Sequence, residues 1–134
     1  MSSLEGLEAF VRVLGLPYRR HGDSIVVEFE DPRLGSVGIV VFYEGDTGVV
    51  RIVVPTDVEP TPGGLRWLLE ENFRTTTYKY GLDYEGFVAV IVDLPAEAVE
   101  NARSLRRGLA EAVEGVRRLM ERVEEAEEAG EGGG

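Results

Sequence analysis

Three carboxylates, Asp83, Glu85 and Asp93, are the side chains of this sequence that could do acid–base chemistry together. Two carboxyl groups in one pocket can act as general acid and general base. Asp83 and Glu85, however, belong to a predicted turn, and Asp93 comes near the far end of the strand that follows. Turn carboxylates are usually solvated, so this spacing predicts no shared pocket. We expect no catalytic residues, whereas a pocket holding two of these groups with a raised pKa would favour a carboxylate-dependent enzyme.

Few other side chains could catalyse a reaction or bind a metal or an anion. The sequence has no cysteine and one histidine, which excludes disulfides, thiol catalysis and zinc sites rich in cysteine or histidine. The cluster Arg19-Arg20-His21 could hold an anion, but such a cluster is more typical of a solvated loop. Gly63-Gly64 could present backbone N–H groups to an anion, but no phosphate-loop motif surrounds the pair. Glu70 and Glu71 are adjacent in a predicted helix and point about 100° apart, so they cannot share a proton as a catalytic pair. We predict that both are solvated. We expect no metal and no cofactor.

Composition restricts the classes of protein that remain. The 134 residues carry a formal net charge of −11, which opposes binding to nucleic acid, because phosphate backbones require a concentrated basic surface. No run of about 20 apolar residues could span a membrane. We expect a soluble cytoplasmic protein with one domain over residues 1–129 and a flexible tail over 130–134. The preference for arginine over lysine and the absence of glutamine fit a heat-adapted organism.

The spacing of apolar residues predicts the elements that position these groups. A helix begins at the capping pattern Ser2-Ser3-Leu4-Glu5 and ends at Gly15, and a polar connection follows over 18–23. Alternating or continuous apolar runs predict five strands, over 24–30, 37–43, 49–54, 75–80 and 87–92. Helical spacing predicts a short helix over 65–72 and a long one from near Pro95 to about 129. The prediction is an α+β fold of order α-β-β-β-α-β-β-α, with a five-stranded antiparallel sheet and helices 1 and 3 on one face.

Two of these strands, 37–43 and 87–92, are apolar on both faces and are therefore predicted to be covered on both faces. The cover could come from the chain's own helices or from a second chain.

The last helix carries an apolar seam with steps of three and four residues over more than three heptads. A helix from Ala96 to about Ala129 would be about 50 Å long, twice the length of a strand of six or seven residues. Its C-terminal half is therefore predicted to extend beyond the sheet. Gly108 and Gly115 beside the seam suggest close approach of another backbone.

The order of elements resembles the type III secretion chaperone-like fold, which includes the Tir chaperone family and the YbjN-like proteins. The residues that carry this resemblance are Asn72 at the end of the short helix, Tyr80-Gly81-Leu82-Asp83, Glu85-Gly86 in the turn, and Leu94-Pro95 after the last strand. The resemblance implies a small acidic homodimer that binds other polypeptides and catalyses nothing. The chain departs from those chaperones in its heptad-bearing last helix and its composition.

Two surfaces are candidates for the dimer or partner interface. The resemblance points to the short helix and the strand after it, with Trp67, Leu68, Phe73, Tyr78 and Tyr80. For Trp67 we favour a place in the core over a role as a partner anchor, and both stay open. The heptad seam offers Val116, Leu119, Met120 and Val123, which would be exposed in a monomer. The leading functional hypothesis is a chaperone-like or regulatory homodimer with an unidentified polypeptide client, and the alternative is a structural subunit that joins an assembly through its last helix.

Overall fold

A computed structural model describes residues 3–130 of the chain. Within these residues the elements are, in order, α1 (Leu4–Leu14), β1 (Tyr18–His21), β2 (Ser24–Asp31), β3 (Gly35–Glu44), β4 (Val49–Pro55), α2 (Pro62–Arg74), β5 (Lys79–Leu82), β6 (Val88–Pro95), a 3-10 turn (Ala96–Ala98) and α3 (Ala102–Glu128). The α+β class, the antiparallel sheet and the long final helix are confirmed. The predicted cap Ser2 and residues 131–134 of the predicted tail lie outside the described residues.

The sheet in residues 3–130 has six strands in the order β1-β2-β3-β4-β6-β5, so the prediction of five strands is wrong. The additional strand is β1, which lies in the segment predicted to be a polar connection. It forms an antiparallel hairpin with β2 across Gly22-Asp23, where Gly22 has a φ of 60° that suits glycine. An edge strand needs no apolar alternation, and only Tyr18 of the four β1 residues is partly covered.

The strand β5 begins at Lys79 instead of Thr75, which shortens the predicted strand 75–80. Residues before Lys79 turn the chain away from α2: the Thr75 hydroxyl donates to the Tyr78 carbonyl over 2.7 Å, and the Lys79 ammonium donates to the carbonyls of Asn72 and Thr75. Backbone carbonyls of this segment therefore accept hydrogen bonds within a turn, and the segment before Lys79 is not part of the sheet.

The two faces of the sheet differ in their cover. Helices α1 and α3 pack on one face, as predicted, over alternate residues of the central strands, such as Val27, Val41, Ile52 and Val90. The opposite face carries one half-buried apolar row that runs across four paired strands, through Val26, Val40, Val53 and Ile91. Strands β3 and β6, predicted to be covered on both faces, are covered by helices of residues 3–130 on one face only.

Glu8 joins α1 to the edge strand β1. The helix is capped by Ser3, whose hydroxyl accepts from the Gly6 amide over 3.1 Å. One turn later the Glu8 carboxylate accepts from the Arg20 guanidinium over 2.8 Å and from the Tyr18 hydroxyl over 2.9 Å. Arg20 first, and Tyr18 second, hold the pKa of Glu8 below its ordinary value. The basic cluster of β1 is thus partly engaged by the chain's own helix.

The helix α3 begins at Ala102, because Pro95 ends β6 and the Asn101 side chain caps the Ser104 amide over 2.9 Å. Its 27 residues span about 40 Å. Val116 and Leu119, predicted to extend past the sheet, are buried within the chain itself, because the helix begins later and packs beside α2. The prediction that the seam is exposed in a monomer is therefore wrong for these two residues.

Asp31 ties the turn between β2 and β3 to α3. Its carboxylate accepts from the backbone amides of Arg33 and Leu34, each over 3.0 Å, and from Arg117 of α3 over 3.1 Å. Burial raises the pKa of Asp31, but the two amides and Arg117 outweigh burial, so this pKa lies below its ordinary value.

We predict that Asp31 makes the stability of the fold depend on pH. Because its pKa is lower in the folded than in the unfolded chain, the ionised carboxylate stabilises the fold near neutral pH, and this contribution is lost as the pH falls through the folded-state pKa. Asp31→Asn should lower the free energy of unfolding at about pH 7, and the difference from the wild type should shrink towards about pH 3. Urea unfolding followed by Trp67 fluorescence measures both, with Asp46→Asn in an exposed turn as the control. A difference that stays constant with pH would contradict the prediction.

Candidate protein-binding surface on helix 2

Helix α2 is fixed in place by its first turn. The Thr61 hydroxyl caps the helix by accepting from the Gly64 amide over 3.0 Å, and Pro62 occupies the first helical position. Gly63-Gly64 therefore lies inside the first turn and is part of the helix start. The helix is longer at both ends than the predicted range 65–72, because Thr61 and Pro62 supply a start that the apolar spacing did not reveal.

The buried face of α2 centres on Glu71, which was predicted to be solvated and is only 4% exposed. Its carboxylate accepts from Arg74 over 2.9 Å and from Arg118 of α3 over 3.2 Å. A buried carboxylate is tolerated when it is paired and hydrogen-bonded, and this one is satisfied from two elements. Glu71 thereby fixes the distance between α2 and α3.

An aromatic cluster joins α2, through its own Trp67, to Tyr78 and Tyr80. The Trp67 ring lies 5.6 Å from that of Tyr80, which lies 5.5 Å from the Tyr78 ring in an edge-on arrangement. The Arg118 guanidinium stands 5.3 Å from the Trp67 centroid, within cation–π range. The buried Tyr80 hydroxyl donates to the Gly115 carbonyl over 2.7 Å, and burial raises the pKa of Tyr80 far above its ordinary value. Tyr80 thus acts as a neutral structural link between α2 and α3.

Asn72 at the end of α2 covers the outer edge of β5. Its amide nitrogen donates to the Tyr80 carbonyl over 3.0 Å, and its amide oxygen accepts from the Tyr80 backbone N–H over 2.8 Å. The side chain therefore pairs with the strand as a neighbouring strand would. This closes part of an edge that would otherwise be open to another chain.

The outer face of α2 is apolar and uncovered. Leu65, Leu69 and Phe73, spaced four residues apart, are 40%, 70% and 93% exposed. We call these three residues the α2 ridge. Single exposed apolar residues are ordinary, but three aligned on one helix form a contiguous patch of the kind that marks an interaction site. Leu68, between Leu65 and Leu69 in the sequence, is buried instead, so the apolar residues of α2 face two different directions.

A groove lies on the other side of α2, between the segment 57–64 and the C-terminal turns of α3. We call it the α2–α3 groove. Its volume is about 610 Å³. Its apolar lining includes Trp67, Leu68, Val88, Leu119, Met120 and Val123.

The residues predicted to form the interface fall into three groups. Phe73 is on the α2 ridge, while Trp67, Met120 and Val123 are half-buried and line the groove. The remaining five residues are buried in the chain, and two of them, Leu68 and Leu119, also line the groove: Leu68, Tyr78, Tyr80, Val116 and Leu119. Leu69 was not among the predicted interface residues, although its spacing of four residues from both Leu65 and Phe73 carried the signal.

The three carboxylates considered for catalysis do not share a site. Asp83 accepts from the amides of Glu85 and Phe87 and holds the turn between β5 and β6. Asp93 forms a two-pronged ion pair with Arg51 on β4, with both contacts at 2.7 Å. Asp93 lies six residues beyond Phe87 along the strand, which is about 20 Å. Residues 3–130 also hold no cluster of three potential metal ligands.

Comparison with known proteins shows the fold. No family model matches the chain, and no curated protein matches its sequence. Solved structures with a similar fold include a chain of the HopA1–SchA chaperone–effector complex, with a TM-score of 0.62, 18% identity, and coverage of 87% of this chain and 91% of that chain. They also include YbjN from E. coli, proposed to be a transcription regulator, with a TM-score of 0.67, 12% identity and coverage of 94% of both chains. The resemblance to the chaperone-like and YbjN-like fold is therefore confirmed. Among the helices of residues 3–130, none has the length and apolar character to cross a membrane.

Proposed function

We propose that this protein is a homodimer that binds other polypeptides and has no catalytic activity of its own. The observation that carries the proposal is the α2 ridge, an apolar patch on a firmly held helix that the described chain does not cover. The same helix is anchored from beneath by Glu71 and Trp67, so the ridge is presented on a rigid support. Rigid presentation lowers the entropic cost of association.

A second copy of the chain is the partner that we assign to the α2 ridge. Most soluble oligomers are two-fold symmetric, and a two-fold interface is formed by the same patch on both copies. A straight apolar helix face can pair with itself across such an axis. The fold is shared with a chain of a chaperone–effector complex, which supports a role in binding polypeptides.

The structural-subunit alternative has less support from the structure. It depended on an exposed seam along α3, and Val116 and Leu119 of that seam are buried in the chain's own core. The enzyme alternative depended on Asp83, Glu85 and Asp93, and the first and last of these are engaged in separate structural contacts.

We predict that the protein binds unfolded polypeptides in preference to folded ones. The probe is fluorescently labelled ribonuclease A, either native or reduced and alkylated with iodoacetamide, which adds no charge, so that it stays unfolded. Fluorescence anisotropy should show affinity at least about tenfold higher for the unfolded form, because only that form exposes apolar segments. Equal affinity for both forms would indicate charge attraction alone and would contradict the proposal, as would the absence of binding to either.

A further inference from the structure

The α2–α3 groove has an apolar interior that is open to solvent. Leu68, Val88 and Leu119 are almost completely buried and form its floor, while Trp67, Met120 and Val123 remain half-exposed along its sides. Its volume of about 610 Å³ lies in the range of sites that bind ligands. Met120 adds a flexible and polarisable surface that adapts to different apolar groups.

One wall of the groove is held in place by the sheet. The segment 56–58 continues the pairing with β6: the Thr56 amide donates to the Val88 carbonyl over 3.2 Å, and the Val88 amide donates to the Val58 carbonyl over 2.9 Å. The Thr56 hydroxyl donates to the same Val88 carbonyl over 2.6 Å. The wall then passes directly into Thr61, the cap of α2. The groove is therefore formed before any ligand binds, which reduces the cost of binding.

The rim of the groove is acidic. The exposed carboxylates Asp57, Glu59 and Glu127 lie around it, against one arginine, Arg122. The C-terminal end of α3 is also here, and the negative end of a helix dipole adds to the same potential. An apolar interior with an acidic rim is complementary to an apolar group flanked by cations.

We infer that the α2–α3 groove is the polypeptide-binding site and that it takes an apolar segment flanked by lysine or arginine. This inference rests on the proposed function, and it adds the site and the chemistry of the client segment. The α2 ridge and the groove lie on different sides of α2, so dimerisation leaves the groove accessible. A net charge of −11 draws the same class of client from a distance.

The test uses three fluorescein-labelled 12-residue peptides and the full chain. The first peptide has leucines flanked by lysines, the second has glutamates in place of the lysines, and the third has serines in place of the leucines. Anisotropy should show binding of the first peptide and a loss of at least about tenfold in affinity for each of the others. Equal binding of the first two peptides would overturn the inference, and so would the absence of binding of the first.

Matched variants locate the site. The triple variant Asp57→Asn, Glu59→Gln, Glu127→Gln should weaken binding of the first peptide about tenfold, with a smaller effect at high salt. The control removes three exposed carboxylates elsewhere through Glu85→Gln, Glu97→Gln and Glu100→Gln, and it should change the affinity less than about twofold.

A second pair of variants tests the apolar interior. Val123→Ser, in the groove, should weaken binding, whereas Val13→Ser, on the exposed face of α1, should not.

The outcomes separate this inference from the proposed function. If unfolded ribonuclease A binds the wild type but the groove variants and their controls bind it equally, the protein binds polypeptides elsewhere and the groove assignment is wrong. If dodecylammonium displaces the first peptide and binds more tightly than it, the groove is a site for small cationic amphiphiles and the polypeptide assignment is wrong. Weakened peptide binding by the groove variants alone supports the inference.

Discussion

Replacing Leu69 and Phe73 with glutamate is expected to convert the proposed dimer into monomers. Each fully covered leucine or phenylalanine contributes about 1.5 to 3 kcal/mol, and two-fold symmetry counts both residues twice. Even a total of about 4 kcal/mol corresponds to a roughly thousandfold increase in the dissociation constant. The four glutamates brought together would add repulsion. Sedimentation velocity over a range of concentrations measures the change.

The control for this variant also adds two glutamates: one through Val13→Glu and one at a second exposed position outside α2. Val13 is 76% exposed on α1, away from α2, so an added charge there should leave the dissociation constant unchanged. Circular dichroism should show the same helix content for the wild type and both variants, because Leu69 and Phe73 contribute little to the core. A dimer that persists in the Leu69→Glu, Phe73→Glu variant would show that another surface joins the subunits.

Gly115→Val is expected to cause a large loss of stability. A Cβ atom at Gly115 would lie 2.5 Å from Val90 Cγ1 and 2.8 Å from Tyr78 Cδ1. These atoms belong to a buried strand and a buried ring, which have little room to move. Forcing even one methyl group into a packed core typically costs about 1 to 3 kcal/mol, and valine adds two more carbons, so we expect a loss of at least about 4 kcal/mol. Urea unfolding followed by Trp67 fluorescence measures the loss.

Two other glycines in helices serve as comparisons. At Gly63, in the first turn of α2, no atom lies within 4 Å of an added Cβ, so Gly63→Ala should be neutral or stabilise by up to about 1 kcal/mol. At Gly108 the nearest atoms are the ends of flexible side chains, Ile52 Cδ1 at 2.7 Å and Leu94 Cδ1 at 3.0 Å. Gly108→Ala should therefore cost less than Gly115→Ala. Equal changes in the free energy of unfolding for Gly63→Ala and Gly115→Ala would contradict this account, because close packing around α3 would then not explain why residue 115 is glycine.

Elements with an apolar period were predictable from the sequence, and elements without one were not. The spacing of Leu7 and Val11 identified α1, and the alternation through Ile25 and Val27 identified β2, because each period matches a face that is buried in the chain. The edge strand β1 is nearly all exposed, so no period marks it. The remaining local signal was the turn pair Gly22-Asp23, which suits a two-residue hairpin.

The binding surface was predicted in outline only, because it depends on contacts between residues far apart in the sequence. Glu71 is buried because Arg118, which lies 47 residues away on another helix, pairs with it. That pairing fixes which face of α2 turns inward, and so decides that Leu68 is covered and Leu69 is not. The long seam on α3 shows the same dependence: Val116 and Leu119 were candidates for one of two possible interfaces, and the chain's own sheet and α2 cover them.

The mass of the unmodified full-length chain in solution tests the central claim most directly. Sedimentation equilibrium from low to high micromolar concentration should give a single species of twice the 14.7 kDa chain mass. We expect a dimer because a second copy of the chain would cover the exposed ridge of Leu65, Leu69 and Phe73. A species of 14.7 kDa throughout this range would contradict the account, because the α2 ridge would then remain in water.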